Sequence, residues 1–308
     1  MSKLLKFNKI SKRIAGKKIL DSITFFINSG EISGYVGPNG AGKTTTIKLM
    51  LGILKSDEGN IKIFGKSISI LPLAYRKKIS CVFDYDGLNS FLTGYENLQY
   101  YCNIYEIPDA EKTIKYWVKR LNIDNDSQKR VKILSKGQRQ IIALARALIV
   151  DAELIIMDEP FNSLDPSARK NLARIIKEIS IEKKRSFFIS SHDLTYLENI
   201  CDTVGFLKSG KLKLWERLDT LQNEALKDGI VIKGKSDEIL KLKDILVGDK
   251  ILSNDCLLIR DQLHISGDNK RLFKEISNII YANNINIDSV SKQQKKSLQE
   301  IYSQVMNG

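Results

Sequence analysis

Cysteine is scarce in this chain and scattered. Its 308 residues hold four, Cys81, Cys102, Cys201 and Cys256, with no C-x-x-C pair among them. That spacing argues against a disulfide framework and against a zinc site, and it predicts buried free thiols. Histidine is rarer still, with only His192 and His264. No apolar run approaches the ~18 residues that a membrane-spanning helix needs. The longest candidate, Ile141 to Val150, is too short and contains Arg146. Met1 to Lys6 has no signal-peptide core, and no repeats or low-complexity segments stand out. These absences predict a cytosolic chain for which any membrane is a partner.

What is abundant is positive charge. The formal net charge is +13, and it is uneven. Residues 221–308 hold 13 Lys+Arg against 12 Asp+Glu, and the preceding 220 residues 36 against 24. The lysines are dispersed, so a solvated basic surface is the first reading; nucleotide phosphates, anionic lipid or nucleic acid are the partners such charge allows.

Short β-type runs alternate with amphipathic helical stretches to about residue 215, which predicts an α/β domain. The expected strands are Leu4–Ile10, Ser22–Ile27, Ile61–Phe64, Ile79–Phe83, Leu154–Asp158 and Phe187–Ser190. Between about residues 86 and 150 the pattern turns helical, as a subdomain inserted between strands. Thr93 and Glu96 form one capping box and Ser135 and Gln138 another, and Asp109 opens a further helix. From about residue 221 to 308 a small α+β appendix is expected. Its strand-like pieces are Gly229–Lys233, Cys256–Ile259 and Leu263–Ser266, and its helical ones Glu238–Leu246 and Lys270–Ala282.

The richest motif is Gly37-Pro38-Asn39-Gly40-Ala41-Gly42-Lys43-Thr44, a complete G-x-x-x-x-G-K-[ST] loop followed by Thr45. It follows an apolar stretch, Glu31 to Val36, and enters a helical segment read as Lys43 to Leu54. Strand, glycine-rich turn and helix aim successive backbone N–H groups at one point, where they can hold a triphosphate such as that of ATP. Lys43 reaches the outer phosphates and the Thr44 hydroxyl ligates Mg²⁺. Downstream, Leu154–Asp158 is an apolar strand with Asp158 and Glu159 at its carboxyl end, where α/β sheets place ligands. Asp158 is suited to holding Mg²⁺, and Glu159 to polarising the attacking water. Leu134-Ser135-Lys136-Gly137-Gln138 precedes a helix running to about Val150, with Ser135 as N-cap, which makes a second anion site. Its own domain already has a phosphate cradle. The economical reading is that this helix end meets the γ-phosphate held by a second copy, two cassettes packed head to tail around two ATP molecules.

Taken in order, Gly37–Thr44, Leu134–Gln138, Leu154–Glu159, Ser163-Leu164-Asp165 and His192 resemble the ATP-binding cassette family over roughly residues 1–220. The resemblance implies a P-loop NTPase fold with a RecA-like core, an antiparallel β subdomain and a helical subdomain. It implies that Leu134–Gln138 is the signature motif, Asp165 the D-loop aspartate and His192 the switch histidine at the γ-phosphate, while His264 is read as structural. The implied partners are a second cassette and integral-membrane permease subunits that hold the protein on the inner face of the cell membrane; no nucleic acid is expected.

Three positions depart from the family pattern. Asp84 stands where a glutamine is common after the strand Ile79–Phe83, which makes it a candidate metal-site and coupling residue. An acidic residue there is similar to bacitracin- and lantibiotic-type exporter cassettes, as are Gly87-Leu88 and Leu92–Leu98. Ile14 stands where an aromatic residue often stacks on adenine, which predicts relaxed choice between ATP and GTP. Lys136 replaces the first glycine of the signature pair. The tyrosines of the insert (Tyr95, Tyr100, Tyr101, Tyr105, Tyr116) and Trp117 are expected to pack in a core; by the resemblance, some belong to the socket for the membrane subunit. Ser297–Tyr302 resembles the S-L-E-x-x-F ending of drug- and peptide-exporter cassettes.

The sequence therefore favours the ATPase subunit of an exporter of a peptide, antibiotic or hydrophobic compound. An importer ATPase is the alternative within that class. A soluble single-cassette protein acting on ribosomes or nucleic acid is the alternative outside it. A GTPase switch is discounted, because Asn8-Lys9-Ile10-Ser11 precedes the phosphate loop and lacks the aspartate of N-K-x-D.

Overall fold

The computed structural model describes residues 3–83, 87–162, 164–224, 229–248, 256–259, 262–266, 269–292 and 297–307. The chain divides into two compact units, residues 1–218 with 302–308, and residues 219–301.

The first unit contains two sheets. Strands β1 (Lys3–Ile14) and β2 (Lys17–Asn28) form a hairpin, extended by β4 (Glu58–Ile63) and β5 (Lys66–Ser67) in the order β2-β1-β4-β5. Ala15 and Gly16 both have positive φ, the two-residue turn whose twist suits a hairpin. The hairpin is longer than the strands read from sequence. Near its tip Lys12, Arg13, Lys17 and Lys18 interrupt the apolar alternation, so hydrophobic patterning marks only the part that is buried. The second sheet comprises β3 (Ile32–Val36), β6 (Ile79–Val82), β7 (Leu154–Asp158), β8 (Ser186–Ser191), β9 (Thr203–Lys208) and β10 (Lys211–Arg217), in the order β10-β9-β3-β8-β7-β6. Every contact in it is parallel except that of β9 with β10. Residues of β3, β7 and β8 are buried along their whole length, as befits strands covered on both faces. Phe25 stacks on Phe7 within the first sheet at 4.7 Å and reaches the second sheet through Trp215 at 4.5 Å and Phe188 at 6.1 Å.

Helix α1 (Lys43–Met50) stops four residues before the Leu54 expected from sequence. The reason is a glycine stop. Gly52 takes φ 70°, its N–H bonds Leu49 O at 3.1 Å, and the Ile53 N–H bonds Lys48 O at 2.9 Å. These two bonds satisfy the last carbonyls and turn the chain away. After the short α2 (Leu73–Arg76) and β6 comes the helical insert, with α3 (Gly94–Ile104), α4 (Ala110–Leu121), α5 (Asp124–Ser127) and α6 (Lys136–Ile149). α3 and α4 pack on α6, which also lies against β6. Core packing holds for Trp117, which is buried, but Tyr100 and Tyr116 are exposed. α7 (Pro166–Lys183) and α8 (Leu194–Ile200) pack on each other and cover β8 and β3.

The second unit begins within α9 (Leu218–Glu224) and runs β11 (Gly229–Gly234), α10 (Ser236–Gly248), β12 (Cys256–Ile259), β13 (Gln262–Ser266), α11 (Asn269–Ala282) and β14 (Ile287–Lys292). Its sheet is antiparallel in the order β12-β13-β11-β14, a split β-α-β arrangement closed by Ile230, Ile232, Ile239, Leu242, Leu246, Leu263 and Ile265. β14 escaped the sequence reading because it is an edge strand with little apolar character. The last helix, α12 (Leu298–Asn307), is also new, and residues 302–308 belong to the first unit, whereas the sequence reading placed all of 221–308 in the appendix. The Tyr302 ring meets Phe206 of β9 edge-on at 5.2 Å, and Lys208 Nζ donates to Met306 O.

The three described cysteines, Cys81, Cys102 and Cys201, are free. Burial raises all three thiols, that of Cys81 to about 11, so they stay protonated at neutral pH. No described helix is long and apolar enough to cross a membrane.

Candidate functional site

Because β3, β8 and β7 are parallel neighbours, the loops leaving their carboxyl ends converge. The loop after β3 is Gly37–Thr44. Gly37 lies so close to β9 that a Cβ there would sit 2.4 Å from Leu207 O, which leaves room for no side chain. The crest of the loop, Pro38, Asn39 and Gly40, is exposed, while Ala41, Gly42 and Lys43 are buried. Lys43 folds back over the loop, its Nζ donating to Gly37 O at 2.6 Å and Pro38 O at 3.2 Å. The first amide of α1 to bond back along the chain is that of Thr46, to Gly42 O at 2.9 Å. Amides of Lys43, Thr44 and Thr45 precede it at the positive end of the helix, the arrangement that binds an anion.

The loop after β7 supplies two carboxylates with different surroundings. Asp158 is buried, and its Oδ2 accepts from Thr44 Oγ1 at 2.8 Å while its Oδ1 accepts from Ser190 Oγ at 2.5 Å. Glu159 has φ 53°, a left-handed conformation that a non-glycine residue keeps only when its surroundings enforce it. Here the enforcement is visible. The Glu159 N–H donates to both Ser190 O and Ser190 Oγ at 3.1 Å. Ser190 Oγ thus bridges the two carboxylate residues. In the sequence Ser190 is a strand end, and its only signal is a hydroxyl closing the apolar run Phe187-Phe188-Ile189. Replacing Ser190 by alanine leaves the Asp158 carboxylate and the Glu159 amide each short of one partner. The expected cost is about 1–3 kcal/mol of stability, read as a lower thermal midpoint, with turnover down about tenfold for a shift of Glu159. An unchanged midpoint and rate discard this role for Ser190.

The Glu159 side chain is nearly buried and lies between Lys43 and His192. Its Oε2 lies 2.9 Å from His192 Nδ1 and accepts the His192 N–H at 3.2 Å. Its Oε1 lies 3.1 Å from Lys43 Nζ, within ion-pair range but not aligned as a hydrogen bond. His192 follows β8 and is half exposed. Arg169 Nη1 donates to Asp193 Oδ2 at 3.3 Å, tying α7 to the residue after His192. Lys43, Thr44, Asp158, Glu159 and His192, which span about 150 residues of chain, are thus joined by direct contacts. The oxygens of Thr44 and Asp158 are hard donors at hydrogen-bonding distance from each other, and with phosphate oxygens they suit Mg²⁺.

Other sequence candidates lie apart from this cluster. Ser135 caps α6 in a full capping box, with Gln138 N–H to Ser135 Oγ at 3.2 Å and Ser135 N–H to Gln138 Oε1 at 2.8 Å. Gln138 Nε2 also donates to Asp126 Oδ1 at 2.9 Å, and Leu134 is buried as an anchor. That leaves Ser135 and Lys136 exposed and Gly137 partly so. Asp165 caps α7, accepting from Ala168 N–H at 2.9 Å, and is exposed. Ile14 ends β1 at the hairpin tip and is 44% exposed. Asp84 lies outside the described residues, as do Ser163 and the side chain of His264.

Residues 20–162 match the ABC transporter family, a span that holds the phosphate loop, the capped α6 and both carboxylates. The bacitracin transport ATP-binding protein BcrA of Bacillus licheniformis is 34% identical over 212 residues, 69% of each chain. The chain belongs to the ABC transporter ATP-binding proteins. An ABC transporter ATP-binding protein of Bacillus subtilis, YcbN, is 28% identical over 316 residues and matches all of this chain and 98% of its own, the second unit included. Among solved structures, CbiO1 from Clostridium perfringens, part of the ABC transporter complex CbiONQ, superimposes with a TM-score of 0.65 at 26% identity, over 73% of this chain and 92% of that one. As an ABC ATPase the protein couples ATP hydrolysis to transport.

Proposed function

We propose that two cassettes close on two ATP molecules, each held by Lys43 and the phosphate loop of one copy and by the Ser135-capped end of α6 of the other. The observation that carries this reading is the joined set Thr44, Asp158, Ser190, Glu159 and His192 beside a glycine-rich loop with an exposed crest. Lys43 neutralises the outer phosphates. Thr44 and Asp158 hold Mg²⁺, which adds charge neutralisation. Glu159, fixed by Ser190 and His192, orients the attacking water, and His192 contacts the γ-phosphate. Ser135 and Asp165 are both exposed helix caps, which suits groups that act on a second copy. The work is positioning and electrostatics in a site built before the substrate arrives. Hydrolysis reopens the pair, and the motion drives separate membrane subunits. Asp84 is retained as a coupling and metal-site residue in this reading.

The insert offers a surface for those subunits. Phe91 and Ile133 are exposed on either side of the bonded pair Ser90 and Lys132, and Tyr100 and Ile104 are exposed one turn apart on α3. Apolar groups held in water by a rigid frame mark an interface. Export of an antimicrobial peptide, antibiotic or hydrophobic compound is the direction supported by the similarity to BcrA and by Ser297–Tyr302. Purification of the tagged chain from detergent-solubilised membranes is expected to bring down a multi-helix membrane protein. Recovery with ribosomes instead, and not with membranes, overturns the assignment.

Ile14, at an exposed hairpin tip, offers the adenine an aliphatic face in place of a ring. Stacking on an aromatic side chain contributes ~1–3 kcal/mol per base, and an aliphatic contact supplies less. Turnover with GTP is therefore expected to lie within about threefold of that with ATP, and Ile14→Tyr is expected to tighten ATP binding. Strict preference for ATP in the unaltered chain rejects this role for Ile14.

A further inference from the structure

The ends of α4 and α7 meet in a cluster of charges and rings that lies outside the nucleotide site. Arg120, in the last turn of α4, sits mostly buried against Tyr116 and Trp117, its guanidinium 5.7 and 5.8 Å from their ring centres. It donates to the Tyr116 hydroxyl and reaches two carboxylates of α7, Glu178 Oε2 at 3.2 Å and Glu182 Oε2 at 3.2 Å. Lys183, the last residue of α7, lies 5.8 Å over the Trp117 ring. A few residues on, buried Arg185 pairs with Asp151, just past the end of α6. α4 packs on α3 and α6, and α7 on α8 and β8, so these side chains form a link between the end of the helical insert and α7. A fork bonded to two carboxylates and lying over two rings holds its geometry far better than a single exposed ion pair.

The place of this cluster gives it leverage. α6 has 14 residues and α7 has 18, so their lengths are about 21 and 27 Å. Ser135 caps the far end of the first and Asp165 the far end of the second. Turning α6 by about 10° about its anchored end moves Ser135 by roughly 4 Å, many times what a phosphate contact tolerates.

We propose that Arg120 is a positioning residue for the ATPase reaction, its bridge to Glu178 and Glu182 setting the angle at which α6 presents Ser135 to the nucleotide of a second copy. The proposal rests on the two-cassette reading above. It assigns no contact between Arg120 and ATP; the residue acts through α4 and α6. Arg120 therefore governs the pairing of cassettes and leaves the binding of ATP to a single cassette alone.

The test is made in the full chain carrying Glu159→Gln, with ATP, by sedimentation across protein concentration. Adding Arg120→Met keeps an unbranched apolar stem over Trp117 and removes the fork. It is expected to weaken ATP-driven pairing about tenfold, while binding of a fluorescent ATP analogue to the dilute single chain stays within about twofold. Arg120→Glu with Glu178→Arg and Glu182→Arg is expected to restore pairing, an outcome that a purely structural role does not give. Should Arg120→Met fail to fold, Glu182→Gln, on an exposed side chain, replaces it with an expected loss of about threefold. Pairing unchanged in whichever variant folds overturns the proposal and leaves the two-cassette reading intact. If the Glu159→Gln chain itself stays single with ATP, that reading falls and this one with it.

Discussion

Glu159→Gln is expected to lower ATP turnover by about 10³-fold, within the range that a positioned general base contributes, while ATP binding persists. The carboxamide has the size of the carboxylate and can still accept the His192 N–H, so the loop geometry stays. What disappears is the charge. A neutral group cannot take the proton of the attacking water, and Lys43 loses the negative partner 3.1 Å from its Nζ. That ammonium is then freer to pair with phosphate, so affinity for ATP holds or rises. The variant should accumulate as an ATP-bound pair, visible as a shift in sedimentation on adding ATP, with phosphate release near background. Turnover within tenfold of the unaltered protein removes Glu159 from the base role; loss of ATP binding contradicts the division of labour between Lys43 and Glu159.

Asp158→Asn is expected to reduce turnover by about 10²–10³-fold for a different reason, loss of the anionic ligand beside Thr44. The two oxygens of Asp158 accept from Thr44 and Ser190. An asparagine keeps one such acceptor and turns the other into a donor, so the hydroxyl that faces its NH₂ has to rotate and accept where it donated. The loss of charge matters most where Mg²⁺ is to be held. With Mg²⁺ present, ATP affinity is expected to fall about tenfold; with EDTA, the two proteins should bind ATP alike. Equal affinities in both conditions remove Asp158 from the cation site.

Much of the site was legible in the sequence because its parts are local. The eight residues of the phosphate loop lie between a strand and a helix that each announce themselves by an apolar pattern. The two capping boxes, Thr93 with Glu96 and Ser135 with Gln138, form as read, because a cap and its N3 partner are fixed by helical geometry alone. Legibility failed where a local rule competed with another. The apolar character of Ile53 and Leu54 extended α1 on paper, whereas Gly52 ends it through two backbone bonds. β14 was missed because Asp288 and two serines interrupt its apolar residues, and the strand draws its hydrogen bonds from β11. Ser190 was missed as a functional group because its role depends on two residues more than 30 positions away.

By itself the sequence determined which side chains are the candidates for the chemistry. Lysine, threonine, two carboxylates and a histidine stand at the carboxyl ends of strands that only a parallel α/β sheet accommodates, and that information resides in spacing and in runs of apolar residues. Strand order was decided by the tertiary structure alone. Alternating or continuous hydrophobicity says that a segment is a strand and how deeply it is buried, but not which strand lies beside it. Placing β8 between β3 and β7 brings Ser190 to Asp158 and His192 to Glu159. The same long-range packing carries residues 302–308 back to β9 and links Arg120 to α7, because the partners of those side chains lie a hundred or about sixty residues away, beyond the reach of any local pattern.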